Sequence, residues 1–426
     1  MAGIIKVAVI GAGAAGCFCA VEMKRRRPEA EVAVYEAGRR PMAKLAVTGG
    51  GRCNITNTFE GVGSLAKVYP RGDKFMKRAL KRFGPADLLH WFEAEGVRFV
   101  TQPDGCVFPK SQDAMQIVRT LEGLMRRLGV KVVCGRRCIR IVPSAAGGLP
   151  DDNRGDAPAT VGSGAAERFV LEFSDGGRET ADKVVLAAGG SSTAFLRGLL
   201  PESVEIVPAV PSLFTFRIDD EGLRALMGTV VDNASMSLAG TSFRSEGALL
   251  ITDWGVSGPA TLKLSSYAAR YLAERDYSAP LLVNWTGMTD AGAREWLGGA
   301  ESAGPRRQLG SAHPPGLTGR LWEHLISRAG LRPEMRWPEL GPKGRNRLVA
   351  VMTADQYRIA GRAAFKEEFV TCGGVSLSSV DLGTLECRSV PGLHFVGEVL
   401  DIDAITGGFN LQAAWSCAYL VACALA

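Results

Sequence analysis

The first glycine-rich turn constrains the fold of this chain more than any other feature. Val7 to Ile10 is a run of four apolar residues, which predicts a buried parallel strand. Gly11, Gly13 and Gly16 follow it in the spacing G-x-G-x-x-G. The first glycine permits a tight turn, and the second leaves room for a pyrophosphate at a helix N-terminus. The third lets that helix pack close to the strand.

A second strand and an acid complete the pattern. Glu31 to Tyr35 predicts the strand, and Glu36 follows it directly. In dinucleotide sites an acid in this position accepts hydrogen bonds from a ribose. A lone glycine-rich turn is common, but here strand, turn, helix, strand and acid occur in order. The sequence therefore predicts a Rossmann-like unit that binds a dinucleotide.

Length and composition are those of an ordinary globular protein with two or three domains. The chain has 426 residues, of which 46% are apolar and 22% are charged. No apolar run reaches the roughly 20 residues that a membrane-spanning helix needs. Because the first strand begins almost at Met1, we expect no secretory signal and a cytoplasmic protein. The ten cysteines lack paired C-x-x-C spacing, which predicts reduced thiols and no metal site.

The net charge of +6 is concentrated in one stretch. Between Arg294 and Arg347, ten lysines and arginines stand against five acids. A solvated helical face explains this excess, and so does a surface that binds a polyanion. The sequence leaves both interpretations open, and the candidate contacts to a polyanion are Arg306, Arg307, Arg345 and Arg347.

A second glycine-rich segment runs from Thr48 to Asn57. Its three successive glycines, Gly49 to Gly51, expose backbone amides without side chains that would obstruct a flat or anionic ligand. Arg52 adds a fixed charge, and Asn54 adds an amide donor and acceptor. The structural alternative is a glycine-rich surface loop.

Two later segments return the chain to the same site. The strand predicted at Lys183 to Ala188 ends in a glycine pair, Gly189–Gly190. A strand ending of this kind leads back to the cofactor in dinucleotide-binding proteins, although a simple turn also explains it. Near the C-terminus, Gly397–Glu398 follows the strand Leu393 to Val396. Glycines 407–408 then open the terminal helix, whose N-terminus favours negative charge.

Changes in pattern along the chain predict the domain organisation. We expect an α/β Rossmann-like domain, of the two-part glutathione-reductase-like type, at residues 1–192 and 361–426. An inserted α+β domain should occupy residues 193–360, β-rich over 193–285 and helical over 286–347. Residues 143–167 are rich in Gly, Ala, Asp and Pro without periodicity, which predicts a long loop.

Four motifs in order resemble the BaiN-like (HI0933-like) family of NAD(P)/FAD-dependent oxidoreductases. They are Thr48–Asn57, Trp254–Pro259, Phe365–Val375, and Gly397–Asp401 together with Gly407–Asn410. The resemblance covers nearly the whole chain and implies noncovalently bound FAD in a two-part domain with an insert. Members are associated with reduction of unsaturated steroid ketones, with oxidation of amines, including aminoacetone, and with reduction of a ribosomal RNA uridine to dihydrouridine.

The motifs and the resemblance together predict the residues that contact FAD. They are Gly11, Gly13, Ala14, Gly16, Glu36, Lys44, Gly50, Gly51, Arg52, Asn54, Ala188, Gly189, Gly397, Glu398, Gly408, Asn410 and Leu411. Glu398 corresponds to the acid that binds the ribityl hydroxyls in many flavoproteins, and its alternative is a solvent-facing turn acid.

The chemistry that these features favour is reduction of a C=C bond conjugated to a carbonyl. Steroid enones and uracil both present such a bond, so a small enone and an RNA uridine are both candidate substrates. A flavin-dependent amine oxidase and a non-enzymatic flavin-binding protein remain alternatives. Since no second G-x-G-x-x-G follows a predicted strand, NAD(P)H would bind only transiently as reductant.

The reaction needs an acid to protonate the α carbon. Cys53 and Cys372 lie in the two motifs that we expect to border the open face of the flavin, and an unperturbed thiol stays mostly protonated at neutral pH. Both could equally be small buried space-fillers. Water and Lys366 are the alternative donors.

Overall fold

The computed structural model describes residues 4–144, 168–363 and 370–426. Contacts divide the chain into two compact units. Unit 1 comprises Met1–Ala209 and Val370–Ala426, and unit 2 comprises Val210–Phe369. From residue 145 onward, the long loop predicted at 143–167 lies outside the described residues. Residues 143 and 144 end a strand, which corrects the predicted start of that loop.

Strands and helices alternate along much of the chain. The strands are β1 (Lys6–Ile10), β2 (Glu31–Glu36), β3 (Thr56–Asn57), β4 (Phe99–Thr101), β5 (Cys106–Pro109), β6 (Lys131–Cys134), β7 (Cys138–Ser144), β8 (Arg168–Phe173), β9 (Arg178–Ala181), β10 (Lys183–Leu186), β11 (Ile206–Ser212), β12 (Phe216–Arg217), β13 (Val230–Leu238), β14 (Arg244–Thr252), β15 (Gly255–Ser257), β16 (Ser278–Asn284), β17 (Asp355–Arg362), β18 (Val370–Val375) and β19 (Leu393–Phe395). The helices are α1 (Ala14–Arg26), α2 (Ala43–Gly51), α3 (Asp73–Arg82), α4 (Pro85–Glu93), α5 (Ala114–Arg127), α6 (Thr193–Leu199), α7 (Glu221–Arg224), α8 (Pro259–Tyr267), α9 (Ala269–Ala273), α10 (Asp290–Ala303), α11 (Gly319–Arg328), α12 (Gly341–Ala354) and α13 (Phe409–Ala424).

Unit 1 is organised around a parallel sheet. Over the described residues this sheet has five strands in the order β19-β10-β1-β2-β6, and each neighbouring pair is parallel. Val9 of β1 lies between Val185 of β10 and Val34 of β2, and all three are fully buried. The apolar run predicted as a buried strand is therefore central in the sheet, and the predicted α/β Rossmann-like fold is confirmed.

Helix α1 follows β1 and packs against the terminal helix α13. The two helices bury Phe18 and Trp415, whose ring centroids are 5.4 Å apart. Smaller antiparallel sheets, β3-β5-β4 and β7-β8-β9, also belong to unit 1, and β18 pairs with β11, which begins in unit 1 and ends at Ser212.

Unit 2 contains a closed barrel in the order β12-β15-β14-β13-β16-β17, in which neighbouring strands are antiparallel. The barrel closes because β17 pairs with both β16 and β12, so no strand edge is left open. The β-rich region predicted at 193–285 is incomplete, since β17 follows the helical part. The predicted inserted α+β domain thus takes the form of a barrel with attached helices.

Helices α10, α11 and α12 form the helical part of unit 2. Trp285, Trp322 and Trp337 are buried in a core that the barrel shares with these helices. Helix α12 continues to Ala354, beyond the predicted end at residue 347.

No helix among the described residues is both long enough and apolar enough to span a membrane. Within the same residues, no group of three or more His, Cys, Asp or Glu side chains is arranged to hold a metal ion.

Candidate functional site

Four of the predicted site segments of unit 1 lie at one edge of its parallel sheet. Gly11 follows β1, Glu36 ends β2, Ala188–Gly189 follows β10, and Gly397–Glu398 follows β19. These strands are neighbours and run in the same direction, so their carboxyl ends share an edge. In open α/β sheets, ligands bind in the crevice outside this edge.

The three glycines of the first turn have different surroundings. Gly11 has φ +108°, and a Cβ there would lie 2.3 Å from the carbonyl oxygen of Ala187. A Cβ at Gly16 would lie 2.1 Å from the carbonyl oxygen of Gly11. At Gly13, by contrast, no atom of the described chain would come within 4 Å of an added Cβ. The first and third glycines are therefore required by the chain itself, whereas the second faces open space.

Glu36 is held at the end of β2 by backbone donors. Its Oε2 accepts from the amide of Ala12 at 2.9 Å, and its Oε1 accepts from the amide of Gly38 at 2.6 Å. The acid predicted to follow the second strand is the last residue of that strand. The carboxylate stays half-buried, so it can also accept hydrogen bonds from a ligand.

A cavity of about 330 Å³ lies beside this carboxylate. Gly11, Glu36 and Ala188 line it, as predicted site residues, and so do Arg136 and Phe195, which the sequence analysis missed. Arg136 follows β6, which pairs with β2. The signal that could have identified Arg136 is that β6 ends at the same carboxyl edge.

The Arg136 guanidinium is fixed by aromatic and acidic neighbours. It lies 4.1 Å from the ring centroid of Phe173 and forms ion pairs with Asp175 at 3.2 Å and Glu179 at 2.7 Å. Hydrogen bonding to Glu179 is the largest cause that raises the pKa of Arg136. A cation on the cavity wall thus remains in place without a ligand.

Glu398 is the predicted carboxylate that follows β19, which lies three positions from β2 and Glu36 in the strand order. Its Oε1 accepts from the amide of Thr371 at 2.9 Å, and its Oε2 lies 3.8 Å from the Nζ of Lys44. A Cβ at Gly190 would lie 2.7 Å from Glu398 Oε1, so the absence of a side chain there leaves room for this carboxylate. The Lys44 side chain is 71% exposed.

Helix α2 leads into the predicted glycine loop. Regular helical geometry stops at Thr48, and Gly49, Gly50 and Gly51 have φ of +58°, +67° and +82°. An added Cβ at Gly50 or Gly51 would meet no atom of the described chain within 4 Å. Arg52 lies 4.6 Å from the ring centroid of Phe108, which holds its charge beside this open backbone.

The two predicted asparagines have side chains bonded within the protein. Asn410 Oδ1 accepts from the amide of Ala404, and its Nδ2 donates to the carbonyl of Ala404, both at 2.9 Å. With its amide oriented to satisfy its neighbours, Asn54 donates to the carbonyl of Thr56 at 2.8 Å and accepts from the amide of Gly408 at 3.2 Å. These side chains order the segment before α13, and their contact with FAD stays a prediction.

The remaining predicted FAD neighbours lie at helix starts and strand ends. Ala14 and Leu411 are half-buried in the first turns of α1 and α13. Gly397 has φ +74°, and a Cβ there would lie 3.0 Å from the Cβ of Ala15. At Gly408 a Cβ would lie 2.3 Å from the carbonyl oxygen of Thr56. Both glycines therefore permit close backbone packing around the sheet edge.

Two of the three candidate proton donors, Cys53 and Cys372, lie among the described residues. The thiols of Cys53 and Cys372 are both fully buried. Burial raises the pKa of Cys53 to about 12, so this thiol keeps its proton at neutral pH. Cys53 has φ +61°, in the left-handed region. Lys366 lies outside the described residues. The role of any of them as acid stays a prediction.

The arginines predicted to contact a polyanion belong to unit 2. Arg306, Arg307 and Arg347 are exposed, whereas Arg345 forms an ion pair with Glu301 at 2.6 Å. Part of the charge of this stretch is therefore neutralised within the unit.

The residues at the sheet edge fit an FAD molecule. Gly13 leaves open space at the start of α1, where a helix N-terminus attracts a pyrophosphate. Glu36 provides an acceptor for a ribose beside the cavity, and Gly50 and Gly51 present backbone without side chains. The start of α13 adds a second helix N-terminus that favours negative charge.

Comparison with known proteins identifies the family of the chain. The model of the family described as HI0933-like protein Rossmann domain matches residues 5–424. The resemblance predicted from the four motifs is thereby confirmed. The flavoprotein fold of this family implies FAD as cofactor.

Relatives match along nearly their whole length. The chain is 29% identical over 430 residues to the ribosomal RNA dihydrouridine synthase of Escherichia coli, covering 98% of this chain and 96% of the relative. It is 29% identical over 425 residues to the 3-dehydro-bile acid delta(4,6)-reductase of Clostridium scindens, covering 97% of both chains. The ribosomal RNA dihydrouridine synthase of Haemophilus influenzae is also 29% identical, over 427 residues that cover 98% of this chain and 97% of the relative.

Proposed function

Because this chain belongs to the HI0933-like family of FAD-dependent oxidoreductases, we propose that it reduces a C=C bond conjugated to a carbonyl. The substrate is either a small enone or a uridine in ribosomal RNA. The observation that carries this proposal is the carboxyl edge of the parallel sheet, where β1, with the open space at Gly13, lies between β2, which ends in Glu36, and β19, which Glu398 follows.

The names of the relatives support reduction rather than oxidation of an amine. A dihydrouridine synthase and a delta(4,6)-reductase both produce a compound in which a C=C bond is saturated. Uridine and an unsaturated ketone share the feature that matters, a C=C bond in conjugation with a carbonyl. One site chemistry therefore serves both classes of substrate.

The protein's own groups bind and orient the cofactor and the substrate. When bound, FAD supplies the hydride that adds to the β carbon of the substrate. Glu36 would accept hydrogen bonds from the ribose of the adenosine, and Glu398 would accept them from the ribityl chain. Lys44, 3.8 Å from Glu398, would fix the direction of that carboxylate. NAD(P)H would bind transiently as the reductant.

Hydride addition places negative charge on the substrate carbonyl, so donors and an acid are needed. The backbone of Gly50 and Gly51, where an added Cβ would meet no atom of the described chain within 4 Å, leaves room for such a charge to approach. Cys53 follows them closely, and its thiol is protonated because burial raises its pKa to about 12. We propose Cys53 as the first candidate for the proton that the α carbon receives, with Cys372 and Lys366 as alternatives.

An RNA substrate would also need a surface for its phosphates. We propose that the exposed arginines of unit 2, Arg306, Arg307 and Arg347, supply part of it. Such contacts would make binding fall steeply with salt concentration.

Anaerobic mixing of the photoreduced, FAD-loaded chain tests the reaction class. In separate runs the reduced chain is mixed with a steroid enone, with a uridine-containing RNA and with oxygen. The oxidised chain is mixed with a primary amine. We expect the enone or the RNA to reoxidise the flavin and to yield a saturated product by mass spectrometry. Free FAD, reduced in the same way, is the control for reaction without protein.

Two results would contradict the proposal. Reduction of the oxidised flavin by the amine, with no saturated product from enone or RNA, would identify an oxidase. Absence of any reoxidation by either C=C substrate, despite full FAD loading, would remove the ene-reductase assignment altogether.

A further inference from the structure

Helix α3 carries a stripe of positive charge that the proposed function does not use. Lys74, Lys77, Arg78, Lys81 and Arg82 are all exposed, and Asp73 is the only acid in this helix of 10 residues. Their positions follow the i, i+3, i+4, i+7, i+8 pattern of a single helix face. We call these five residues the α3 stripe.

The charges of the α3 stripe are not neutralised within the part of the chain that the structure describes. Across the described residues, none of the five side chains forms a hydrogen bond or an ion pair. This differs from the basic stretch of unit 2, where Arg345 pairs with Glu301 and Arg328 pairs with Asp220 and Asp355. Uncompensated like charges on one face repel each other, and an anionic partner would relieve that repulsion.

The opposite face of α3 is committed to the protein core. Phe75, Met76 and Ala79 are buried, and the helix packs against α13. A helix that lies in a membrane surface inserts its apolar face among the lipids, which this helix cannot do. The α3 stripe is thus suited to a soluble polyanion rather than to a bilayer.

The start of α3 is fixed to the segment that leads into the candidate site. Arg71 forms an ion pair with the fully buried carboxylate of Asp403, and their backbones form a β-bridge. A Cβ at Gly72 would lie 2.8 Å from Ile402, so the two segments are in close contact. Residues 402–404 precede Gly407–Gly408 and the start of α13 by only a few positions.

We infer that the α3 stripe binds the phosphate backbone of an RNA whose uridine enters the site of unit 1. The choice of RNA over other polyanions rests on the proposed function, in which RNA is one of two substrate classes. The stripe from Lys74 to Arg82 spans about 12 Å at 1.5 Å per residue. That length is enough for about three phosphates of one strand of a duplex at 3.4 Å each.

The test compares two triple variants of the FAD-loaded chain. The α3 variant carries Lys77→Gln, Arg78→Gln and Lys81→Gln. The control carries Arg332→Gln, Arg336→Gln and Lys343→Gln, which remove the same number of charges from exposed positions of unit 2 that the proposed function does not use. The probe is a fluorescently labelled, uridine-containing single-stranded RNA, titrated over a series of salt concentrations. Vesicles containing phosphatidylglycerol are the second probe.

We expect the α3 variant to lose affinity for the RNA by about tenfold or more at low salt. The slope of log affinity against log salt should decrease by about 2, at roughly 0.7 for each lost phosphate contact to a single strand. The FAD content, the melting temperature and the turnover of a small enone should be unchanged, because the three side chains have no partner within the described structure. The unit 2 variant should change the slope less.

Three outcomes would overturn this inference. The α3 variant could bind the RNA with the slope and affinity of the unaltered chain, or the unit 2 variant alone could lose them. Binding of the chain to the vesicles but not to the RNA would assign the stripe to a membrane surface. A chain that binds the RNA as expected but reduces no C=C bond would keep this inference and refute the proposed reaction, so the two failures are distinguishable.

Discussion

The main sheet of unit 1 is open, whereas that of unit 2 is closed into a barrel. The parallel sheet of unit 1 leaves the carboxyl ends of β1, β2, β10 and β19 side by side, and glycines follow β1, β10 and β19. The barrel of unit 2 pairs every strand with two neighbours and has no open edge. A site needs backbone and side chains that are not already committed to the fold. In unit 1, the loops that follow the carboxyl ends of the strands provide such groups. In unit 2, each barrel strand forms hydrogen bonds with a neighbouring strand on both sides.

The cores of the two units also differ in chemistry. All ten cysteines belong to unit 1, and five of the seven tryptophans belong to unit 2. A buried thiol has a second ionisation state that burial disfavours, whereas an indole has none in the accessible pH range. The two units should therefore respond differently to substitution and to pH, and four experiments examine that difference.

The largest expected effect is on folding and FAD content, and it distinguishes Gly16, which is packed against the chain, from Gly13, which faces open space in unit 1. Gly16→Val would place a Cβ 2.1 Å from the carbonyl oxygen of Gly11. We expect this variant to lose the fold of unit 1, since a clash with backbone costs more than the about 1–3 kcal/mol of ordinary overpacking. Gly13→Val should fold normally but lose FAD, because the branched side chain would occupy the place of the pyrophosphate.

Thermal unfolding by circular dichroism and the FAD content after purification measure these two effects. The matched control is Gly298→Val in α10 of unit 2, where an added Cβ also meets no atom of the described chain within 4 Å. It should keep both fold and FAD. A Gly13→Val variant with a full complement of FAD would refute the dinucleotide site at this turn.

The second experiment removes a buried ion pair from unit 2. Arg328 donates to Asp355 at 2.8 Å and to Asp220 at 3.0 Å, and Asp355 is only 3% exposed. Arg328→Met would leave the Asp355 carboxylate buried without a cation, which costs about 3–5 kcal/mol. Trp285 Nε1 donates to the same carboxylate at 3.0 Å, so urea unfolding followed by tryptophan fluorescence reports on the change.

Arg320→Met is the control for this second experiment. Arg320 is exposed and donates to the carbonyl of Ala225 at 2.8 Å. We expect it to cost less than about 1 kcal/mol, in line with an exposed hydrogen bond. Equal losses in the two variants would show that the Asp355 carboxylate does not depend on its cation.

Local patterns of sequence predicted the strand–turn–helix–strand unit at the start of the chain. The β1 run, the glycine spacing and Glu36 are read from neighbouring residues, and the helix between the strands is formed locally. Arg136 was missed because its place depends on β6 pairing with β2, which residues 31–36 do not reveal. The cavity wall near Phe195 depends on long-range packing in the same way.

The barrel shows the same limit more strongly. It closes when Phe216 of β12 pairs with Arg362 of β17, two residues separated by the helices of unit 2. The sequence predicted β-rich and helical parts, but not that a strand after the helices completes the barrel. Likewise, the amides of Asn54 and Asn410 are engaged by backbone groups, which no spacing in the sequence indicates.

The third experiment uses pH to distinguish the units. Burial raises the pKa of both Cys53 and Cys417 to about 12, whereas a thiol in the unfolded chain ionises near about 8.5. Because the folded pKa is higher, the stabilisation is complete below about pH 8.5 and is lost as pH rises toward the folded pKa. Each such thiol should lower the free energy of unfolding by about 1.4 kcal/mol per pH unit in that window.

Urea unfolding between pH 8.5 and 10, and its comparison with Cys417→Ala, measures this effect. The variant should be less stable at pH 7 but should lose about 1.4 kcal/mol less per pH unit above about pH 8.5. Unit 2 has no cysteine, and burial raises the pKa of its Tyr357 further above the usual value of about 10, so its tryptophan signal should show no loss from thiol ionisation between pH 8.5 and 10. An unchanged slope in the variant would indicate that the Cys417 thiol is not kept neutral by burial.

The smallest expected effect on stability separates a ligand residue from a surface ion pair within unit 1. Lys44 lies 3.8 Å from Glu398, and Lys6 lies 3.7 Å from Glu31, so the charged atoms of the two pairs are about equally far apart, although the Glu398 side chain is 26% exposed and that of Glu31 is 59% exposed. Surface pairs of this kind contribute about 0–1 kcal/mol, so Lys44→Gln and Lys6→Gln should each lower the free energy of unfolding by no more than that amount.

The two pairs differ in their place in unit 1, because Glu398 lies at the carboxyl edge of the sheet and Glu31 begins β2 at the opposite edge. If Lys44 directs Glu398 toward FAD, its loss should weaken FAD binding about fivefold or more, which corresponds to about 1 kcal/mol, whereas Lys6→Gln should not change it. Titration of the FAD-free chain with FAD, followed by flavin fluorescence, gives both affinities, and equal values would reduce the Lys44–Glu398 contact to an ordinary surface ion pair.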